Sequence, residues 1–323
     1  MRQEQAVTIT GYERAELLPV PADSRPLAPS EVSGRTLATM ISPGTELAAC
    51  YQGSQFPAVP GYAAVFAVEQ VGAEVTGIKM GDRCFCMGPH RSFQRTGERE
   101  AIPVPEGLAS EQAVLARAVA ISMTTLATTT ARPPDRVLVT GLGLVGHLAA
   151  QVFRHAGYEV AGYDPLPARR AQAETHGLRT VPELAAEHTG EVALVVECSG
   201  HEQAALAGCR LVRKRGEVVL VGVPWRQQTE LSAHELLHAV FHQYAVLRSG
   251  WEWEVPRQES EFRVGSIYAH FRAALRWLAQ GAITVDGLYC TCSPGQAQEA
   301  YRGLLGRQGE HLTVVFDWSG MGE

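Results

Sequence analysis

The sequence predicts an α/β protein made of a β-rich part and a doubly wound parallel sheet. Its length of 323 residues exceeds what one ordinary hydrophobic core fills, which indicates two domains. Roughly the first 115 residues consist of short strand-like segments separated by glycine, proline and serine. From Arg136 onward, strands alternate with helical segments, which is the pattern of parallel βαβ units.

Composition and charge exclude several classes of partner. The chain is 46% hydrophobic and 19% charged, as in a globular protein that can bury sizeable cores. Its 28 basic and 34 acidic residues give a net charge of −6 without a dense basic run, so we expect no nucleic-acid partner. No apolar stretch has membrane-spanning length, and no signal peptide is evident. Seven cysteines without a disulfide-framework spacing predict a reducing compartment, the cytoplasm.

Individual elements follow from local periodicity and from the turn residues between them. Predicted strands of the first part include Ala6–Thr10, Gly34–Met40 and Ala63–Val71. Predicted strands of the second part are Val137–Thr140, Glu159–Tyr163, Val192–Glu197, Glu217–Val221 and Ala245–Arg248. Helices are predicted at Leu144–His155, Gln203–Val212, Tyr268–Gln280 and Gln296–Leu305, and a last strand at Leu312–Phe316.

A glycine-rich loop follows the first strand of the second part. Residues 141–146 have the pattern Gly-x-Gly-x-x-Gly and lie between a buried strand and a helix. Gly141 permits a tight turn, Gly143 lets the backbone approach a pyrophosphate, and Gly146 lets helix and strand pack closely. The helix N-terminus attracts the phosphates. In this context the loop predicts a dinucleotide-binding Rossmann domain.

An acidic residue lies where the adenosine ribose of a dinucleotide binds. Asp164 ends the second strand, 23 residues after Gly141, and its carboxylate favours NAD over NADP because it repels a 2′-phosphate. Arg169 and Arg170 act in the opposite direction, since an arginine accommodates that phosphate. Later strand ends complete the expected cofactor site, which comprises Gly141, Gly143, Leu144, Val145, Gly146, Asp164, Arg169, Cys198, Ser199, Gly222 and Val223.

Three motifs of the first part resemble landmarks of the medium-chain dehydrogenases. They are Ser42-Pro43-Gly44-Thr45-Glu46, Val59-Pro60-Gly61-Tyr62, and Val71-Gly72 followed after eight residues by Gly81-Asp82-Arg83. The resemblance covers nearly the whole chain. It implies a GroES-like catalytic domain, residues 1–117 and 256–323, and a Rossmann domain, residues 118–255. It also implies an oxidoreductase with a nicotinamide cofactor, paired as a homodimer through Rossmann sheet edges.

The residues that hold catalytic zinc in this family are replaced. Zinc-dependent members have Cys-Gly-Thr-Asp where this chain has Pro43-Gly44-Thr45-Glu46, and Gly-His-Glu where it has Gly61-Tyr62-Ala63. Their third ligand falls near Val119, where the neighbours are also apolar. These side chains cannot form the nitrogen and sulfur ligand set of zinc. We therefore predict no zinc, and the motifs are similar to a zinc-free branch that includes bacteriochlorophyllide dehydrogenases.

Three further groups resemble metal-binding patterns but lack a full ligand set. Cys84 and Cys86, with His90, occupy the stretch of the family's structural zinc lobe, and each cysteine pair, including Cys290 and Cys292, is expected on one side of a strand. A further set has i, i+4, i+8 spacing along one helix face and is expected at the surface or in packing: His234, His238 and His242.

Without a metal, side chains have to move the proton of the reacting group. The resemblance implies that the Thr45 hydroxyl relays this proton. Tyr62 replaces a zinc-ligand histidine, so its phenol is expected to hydrogen-bond a substrate oxygen. Histidine is a common acid–base side chain in enzymes, so either Tyr62 or His90 is the predicted acid–base group. Glu46 replaces an acidic family residue and is expected to act as a base or to hold Thr45 in place.

These features predict a zinc-independent, NAD(H)-dependent oxidoreductase that interconverts a secondary alcohol and a ketone, including alcohols on a ring. One alternative is an NADPH-dependent enone or quinone reductase of the same family, which Asp164 disfavours. The other is an NAD(H)-binding protein without turnover, which the loss of the zinc ligands permits. The first two readings require a small-molecule substrate.

Overall fold

The computed structural model describes residues 4–184, 190–306 and 310–321. The chain divides into two compact units. The first unit is Met1–Arg117, Ala274–Gly281 and Val285–Glu323. The second unit is Ala118–Ala273 and Ala282–Thr284.

The first unit is β-rich, as the short punctuated segments predict, and its strands pair antiparallel except for the parallel pair of Tyr289–Cys292 with Thr313–Asp317. Its strands are β1 (Glu4–Gly11), β2 (Arg14–Val20), β3 (Glu31–Met40), β4 (Ala64–Val71), β5 (Arg83–Cys86), β6 (Phe93–Gly97), β7 (Ile102–Pro103), β14 (Tyr289–Cys292) and β15 (Thr313–Asp317). The strand order of the larger sheet is β14-β15-β3-β4-β5-β7, and β6 pairs with β3. β1 and β2 form a separate hairpin. Apolar side chains such as Ile9, Tyr51 and Phe316 form one of its cores.

Short helical segments of the first unit carry the motif residues. The turn α1 (Pro43–Thr45) runs directly into a π-helical turn, Glu46–Tyr51. Pro43 takes the first helical position, where its missing N–H costs nothing. The remaining helices are α2 (Ser110–Ala113), the start of α3 (Ala116–Thr128), and α9 (Ala297–Leu305). Single π-helical turns often occur at functional sites, which directs attention to Glu46.

The second unit is a parallel sheet covered by helices. Its strands are β8 (Arg136–Thr140), β9 (Glu159–Tyr163), β10 (Arg179–Val181), β11 (Val192–Glu197), β12 (Val212–Leu220) and β13 (Val246–Ser249). Their order is β10-β9-β8-β11-β12-β13, with parallel pairing. Its helices are α4 (Leu144–His155), α5 (Pro167–Thr175), α6 (Glu202–Leu211), α7 (Ala233–Gln243) and much of α8 (Ile267–Ala279). The predicted α/β fold class is therefore confirmed.

Most predicted elements are present to within a few residues, and three boundaries differ. The predicted helix to Val212 ends at Leu211, and β12 begins at Val212 rather than at the predicted Glu217. Arg215, at φ +65°, lies inside this longer strand. The pairing of the strand with β11 has a register shift. The contact division falls after Ala273 rather than at the predicted residue 256, because α8 contributes to both units.

Apolar packing explains the central strands of the second unit. All six side chains of β11 are buried, as expected for a strand covered by helices on both faces. Val139, Val196 and Phe153 belong to one core cluster and Val195 and Val218 to another, so the sheet is packed on both sides. Within the described ranges, no helix has the length and apolar character needed to cross a membrane.

Candidate active site

The glycine-rich loop has the geometry of a phosphate cradle. Gly141 has φ +82°, a conformation that favours glycine, and its N–H donates to the Tyr163 carbonyl at 2.8 Å. A Cβ atom at Gly146 would lie 1.7 Å from the Gly141 carbonyl oxygen, so α4 packs against the loop only through a glycine. A Cβ at Gly143 would meet no atom within 4 Å, which leaves open space above the loop.

The N-terminus of α4 presents uncapped backbone donors. Gly143 is the N-cap residue and has no side chain that could accept from the first turn. The N–H groups of Leu144, Val145 and Gly146 therefore have no intrahelical acceptor, as at every helix N-terminus. Together with the helix dipole, such groups attract a phosphate. Residues 141–146 fit the pyrophosphate of a dinucleotide.

Asp164 is held rigidly at the end of β9. One carboxylate oxygen accepts from the Leu142 N–H at 2.8 Å, and the other accepts from the Leu166 N–H at 2.9 Å. Each oxygen retains a lone pair for a ribose hydroxyl. The Arg170 guanidinium donates to the Asp164 carbonyl at 2.6 Å and so is tied to the backbone. Arg169 lies in α5 and is close enough to His147 to affect its titration.

The turns after β8, β11 and β12 are linked at the carboxyl edge of the sheet. The Glu197 carboxylate accepts from the N–H groups of Ser199 at 2.7 Å and Gly200 at 3.0 Å, and also from the Ser199 hydroxyl. The Cys198 N–H donates to the Thr140 carbonyl at 2.8 Å. Burial raises the pKa of Glu197, while these hydrogen bonds lower it. Glu197 therefore fixes the turn that contains the predicted residues Cys198 and Ser199.

The loop after β12 packs directly on that turn. The Gly222 N–H donates to the Glu197 carbonyl at 2.7 Å. A Cβ at Gly200 would lie 2.5 Å from the Val223 carbonyl oxygen, and one at Gly222 would lie 2.4 Å from the Gly200 nitrogen. Strand order reverses between β8 and β11, and ligands of doubly wound sheets bind at such a switch point. The structure thus gathers Gly141, Ser199 and Gly222 at one edge.

In the first unit, the Tyr62 hydroxyl belongs to a small polar cluster. It donates a hydrogen bond to the Ser42 Oγ atom, and Thr45 is a second hydrogen-bond partner. The Arg117 guanidinium carbon lies 4.7 Å from the centroid of the Tyr62 ring. Burial raises the pKa of Tyr62, whereas Arg117 and the hydrogen bonds of Ser42 and Thr45 oppose that shift. The phenol is thus a protonated hydroxyl at neutral pH, next to a fixed cation.

Glu46 and His90 form a second, fully buried cluster. The Glu46 carboxylate is 3.0 Å from His90 Nε2, and it accepts from the Tyr301 hydroxyl at 2.5 Å and from the Ser42 N–H at 2.8 Å. Glu46 and His90 are 1% and 0% exposed, and the His90 ring contacts the Phe316 ring edge-on at 5.1 Å. Burial raises the pKa of Tyr301, so it remains a donor to Glu46.

His90 also determines the backbone of the Val-Pro-Gly-Tyr motif. Its N–H donates to the Pro60 carbonyl at 2.9 Å. Gly61 has φ +100°, and a Cβ there would lie 2.7 Å from the His90 nitrogen and 2.9 Å from the ring. Only glycine fits this position. Ser42 bridges the two clusters, because its N–H binds Glu46 and its Oγ binds Tyr62.

The positions of the family's zinc ligands do not fit a zinc ion. Pro43 has no donor atom for a metal, the Tyr62 hydroxyl is bonded to Ser42, and a guanidinium lies against the Tyr62 ring. Val119, in the second unit, also has no donor atom. Within residues 4–184, 190–306 and 310–321, no group of three or more His, Cys, Asp or Glu side chains is arranged to hold a metal.

The other histidine and cysteine groups occupy the expected elements. Cys84 and Cys86 are both buried on β5, where burial raises the pKa of both thiols. Cys290 and Cys292 both lie on β14. The three histidines of α7 follow one another along the helix, with ring centroids 6.1 Å and 4.1 Å apart: His234, His238 and His242.

Three residues of the clusters are absent from the predicted site residues. Ser42 is the first residue of the motif that ends at Glu46, and Arg117 comes directly before the apolar run around Val119. Either residue could have been found from that neighbourhood. Tyr301 is 255 positions away from Glu46, and no local pattern indicates their contact.

Comparison with known proteins gives consistent matches. A family model described as zinc-binding dehydrogenase matches residues 145–255. An alcohol dehydrogenase of Rhizobium meliloti (strain 1021) is 29% identical over 208 residues, which cover 52% of this chain and 61% of that relative. The chain thus matches about three fifths of that relative's length.

Solved structures match nearly the whole chain. Galactitol-1-phosphate dehydrogenase from Escherichia coli has a TM-score of 0.82 at 14% identity, covering 97% of this chain and 99% of that one. A candidate zinc-binding dehydrogenase from Sinorhizobium meliloti 1021, solved with NADP, has a TM-score of 0.78 at 18% identity, covering 98% and 100%. At such identities, these likenesses concern the fold.

A Rossmann sheet with a glycine-rich loop, joined to a β-rich unit, is the architecture of two-domain dehydrogenases. The family match, the curated relative and the shared fold support the medium-chain dehydrogenase/reductase superfamily, among the zinc-type alcohol dehydrogenase-like proteins.

Proposed function

We propose that the protein is a zinc-independent, NAD(H)-dependent oxidoreductase that interconverts a secondary alcohol and a ketone, ring alcohols included. One observation carries the proposal: a phenol hydroxyl, Tyr62, bonded to Ser42 and Thr45 and covered by Arg117, lies where the family has a zinc ligand. A metal that polarises the substrate oxygen is replaced by hydroxyl groups that can exchange a proton.

The nicotinamide cofactor supplies the hydride chemistry, accepting or releasing an electron pair together with a hydrogen. Gly141, Gly143 and Gly146, with the N–H groups of Leu144 and Val145, would hold its pyrophosphate. Asp164 would accept hydrogen bonds from the adenosine ribose and repel a 2′-phosphate. The Asp164 carboxylate therefore favours NAD over NADP. Because a structurally similar dehydrogenase was solved with NADP, the test compares both cofactors.

The proton of the reacting oxygen is assigned to Tyr62. In ketone reduction its hydroxyl donates a proton to the new alkoxide oxygen, and in alcohol oxidation the phenol oxygen takes that proton. Ser42 and Thr45 replenish or remove it as the hydrogen-bonded relay. Glu46 and His90 bind each other in the interior, so we assign them to holding Ser42 and Gly61 in place rather than to contacting substrate.

The direct test follows reduced-cofactor absorbance after chelator-treated protein is mixed with NAD or NADP and a panel of secondary alcohols, sugars and cyclitols. We expect reduction of NAD that survives metal removal. Activity restored only by added zinc would contradict the zinc-free proposal. Ketones and enones with NADH and NADPH complete the panel.

Two alternatives are distinguished by the same panel. Turnover only of enones or quinones with NADPH would indicate an alkene reductase, against the electrostatics of Asp164. Tight NAD(H) binding without turnover of any compound would indicate a binding protein that has lost its chemistry. The Tyr62 cluster argues against the last reading, because a pure binding protein has no use for a buried hydroxyl relay.

We also propose that the protein works as a homodimer in the cytoplasm. β13 ends the parallel sheet, so one row of its backbone groups is available to another chain. Next to it, Leu237 and Phe241 on α7 are 66% and 76% exposed. All seven cysteines are free thiols, as expected in a reducing compartment.

A further inference from the structure

A buried cation lies against the proposed proton donor. Arg117 is only 3% exposed, and its guanidinium carbon lies 4.7 Å from the centroid of the Tyr62 ring. At this distance a cation is attracted to the face of an aromatic ring. It also favours any negative charge that develops on the phenol oxygen.

The helix position does not favour an arginine here. Arg117 lies in the first turn of α3, where the helix dipole is positive and disfavours a cation. Removing a guanidinium from water carries a large desolvation cost in addition. A buried charge beside a titratable hydroxyl is the kind of arrangement that occurs at functional sites.

The groups around the Tyr62 hydroxyl shift its pKa in both directions. Burial is the strongest influence and raises the pKa of Tyr62; Arg117 and the hydrogen bonds of Ser42 and Thr45 lower it, and the Glu46 carboxylate raises it. The Glu46 carboxylate itself accepts a hydrogen bond from Tyr301 and lies 3.0 Å from His90 Nε2. Arg117 is therefore the cation that favours ionisation of Tyr62 among the described neighbours.

We infer that Arg117 is a positioning residue whose fixed positive charge allows Tyr62 to exchange its proton without a metal ion. The inference rests on the proposed function. When the phenol oxygen takes a proton from an alcohol, its own proton passes to Ser42 or Thr45 and onward to solvent; in reduction the same protons move in reverse. Arg117 neither gains nor loses a proton and stabilises the anionic character of the oxygen during the exchange.

The test measures the ionisation of residue 62 itself in the cofactor-free protein. A fluorinated tyrosine that titrates in the neutral range is incorporated at position 62, and its fluorine NMR shift is followed against pH. We expect Arg117→Met to raise the pKa of this residue by at least about one unit, a ten-fold change in proton affinity. Arg117→Lys, which retains the charge without the planar contact, should give a smaller rise.

A matched control removes an exposed cation of the same unit. Arg35 pairs with Glu69 at 3.9 Å on the surface, and Arg35→Met should leave the titration unchanged. If Arg117→Met does not fold, Arg117→Gln and Arg117→Lys provide the comparison, with the larger rise expected in the uncharged variant. A titration that is the same with arginine, lysine and the neutral residue would overturn the inference.

The result is separable from the proposed function, because no turnover enters the measurement. An unchanged titration in an enzyme that oxidises alcohols would refute the role of Arg117 alone. The expected shift in a protein that turns over no compound would refute the oxidoreductase proposal and leave the electrostatic coupling in place. In an active enzyme, Arg117→Met should also shift the apparent pKa of the pH–rate profile to higher pH. Arg117→Lys should reverse part of that shift.

Discussion

At two positions of the candidate site, the presence or absence of one atom decides which contacts the residue makes. The Tyr62 ring can pack under Arg117 with or without its oxygen, but only the hydroxyl binds Ser42. A single atom also matters at Gly61, because an additional Cβ would clash with His90. At this scale the chemistry depends on the hydroxyl and the geometry on the missing Cβ.

Replacing Tyr62 by phenylalanine isolates the contribution of the hydroxyl. We expect Tyr62→Phe to lower turnover at least about ten-fold, because a positioned acid–base group commonly contributes a hundred-fold or more. Cofactor affinity should stay unchanged, since the dinucleotide residues lie in the second unit. Steady-state kinetics and NAD(H) titration measure the two quantities. Tyr12→Phe, at a side chain 63% exposed, is the control, and undiminished turnover in Tyr62→Phe would remove the phenol from the mechanism.

Elements show how far local pattern determines structure. The helix Leu144–His155 and the strands Glu159–Tyr163 and Val192–Glu197 are found with the bounds that periodicity predicts. The turn residues on both sides explain this agreement. The start of β12 was not predictable, since Val212 pairs with Val192 of β11 and not with a sequence neighbour.

Two glycines of the phosphate loop should respond differently to the same substitution. Gly143 has open space beside it and φ −66°, so Gly143→Ala should leave the melting temperature nearly unchanged while weakening NAD(H) binding at least about ten-fold. A Cβ at Gly146 would clash with the Gly141 carbonyl, so Gly146→Ala should lower stability as well. Thermal unfolding with and without NAD(H) measures both. Equal loss of stability in the two variants would contradict the assigned roles.

A buried histidine of α4 should make stability depend on pH. His147 is fully buried, neither ring nitrogen has a hydrogen-bond partner, and burial is the main reason that its pKa falls to about 3. His147 therefore stays unprotonated in the folded state at pH values where the unfolded state binds a proton, below about pH 6.5. Stability contributed by this residue is complete above that pH and is lost progressively as pH falls toward the folded pKa.

We expect His147→Phe to be less sensitive to acid than the parent protein. The parent should lose about 2 kcal/mol through this residue between pH 7 and pH 5, and the variant should be spared that loss. Urea unfolding at the two pH values measures the difference. His234→Phe serves as control because His234 is exposed in the folded state. Equal acid sensitivity of His147→Phe and the parent would show that His147 is solvated or paired.

At the scale of the whole molecule, exposed apolar side chains beside the end strand predict self-association. Exposed apolar side chains such as Leu237 and Phe241 lie on α7, and Val246 on the end strand β13 is 46% exposed. Exposed apolar side chains and an unpaired strand edge both favour association with a second copy. Burying these side chains would give a non-polar centre to the pairing.

Light scattering should give twice the 34.9 kDa of one chain. We expect Phe241→Glu together with Leu237→Glu to reduce that mass to the monomer, because two desolvated carboxylates oppose burial at the interface. Phe262→Glu, at an exposed apolar side chain elsewhere in the second unit, should leave the mass unchanged. A monomeric parent protein, or a double variant that remains dimeric, would contradict this prediction.

The sequence by itself determined the fold class, and it predicted the dinucleotide loop and the replacement of the zinc ligands. These depend on local features: the periodicity of buried strands, glycines at fixed spacing, and residue types within short motifs. Only the tertiary structure decided which polar residues meet. Tyr301 reaches Glu46 from α9, and Arg117 reaches Tyr62 from α3. Such contacts join distant parts of the chain through packing, and sequence spacing carries no record of them.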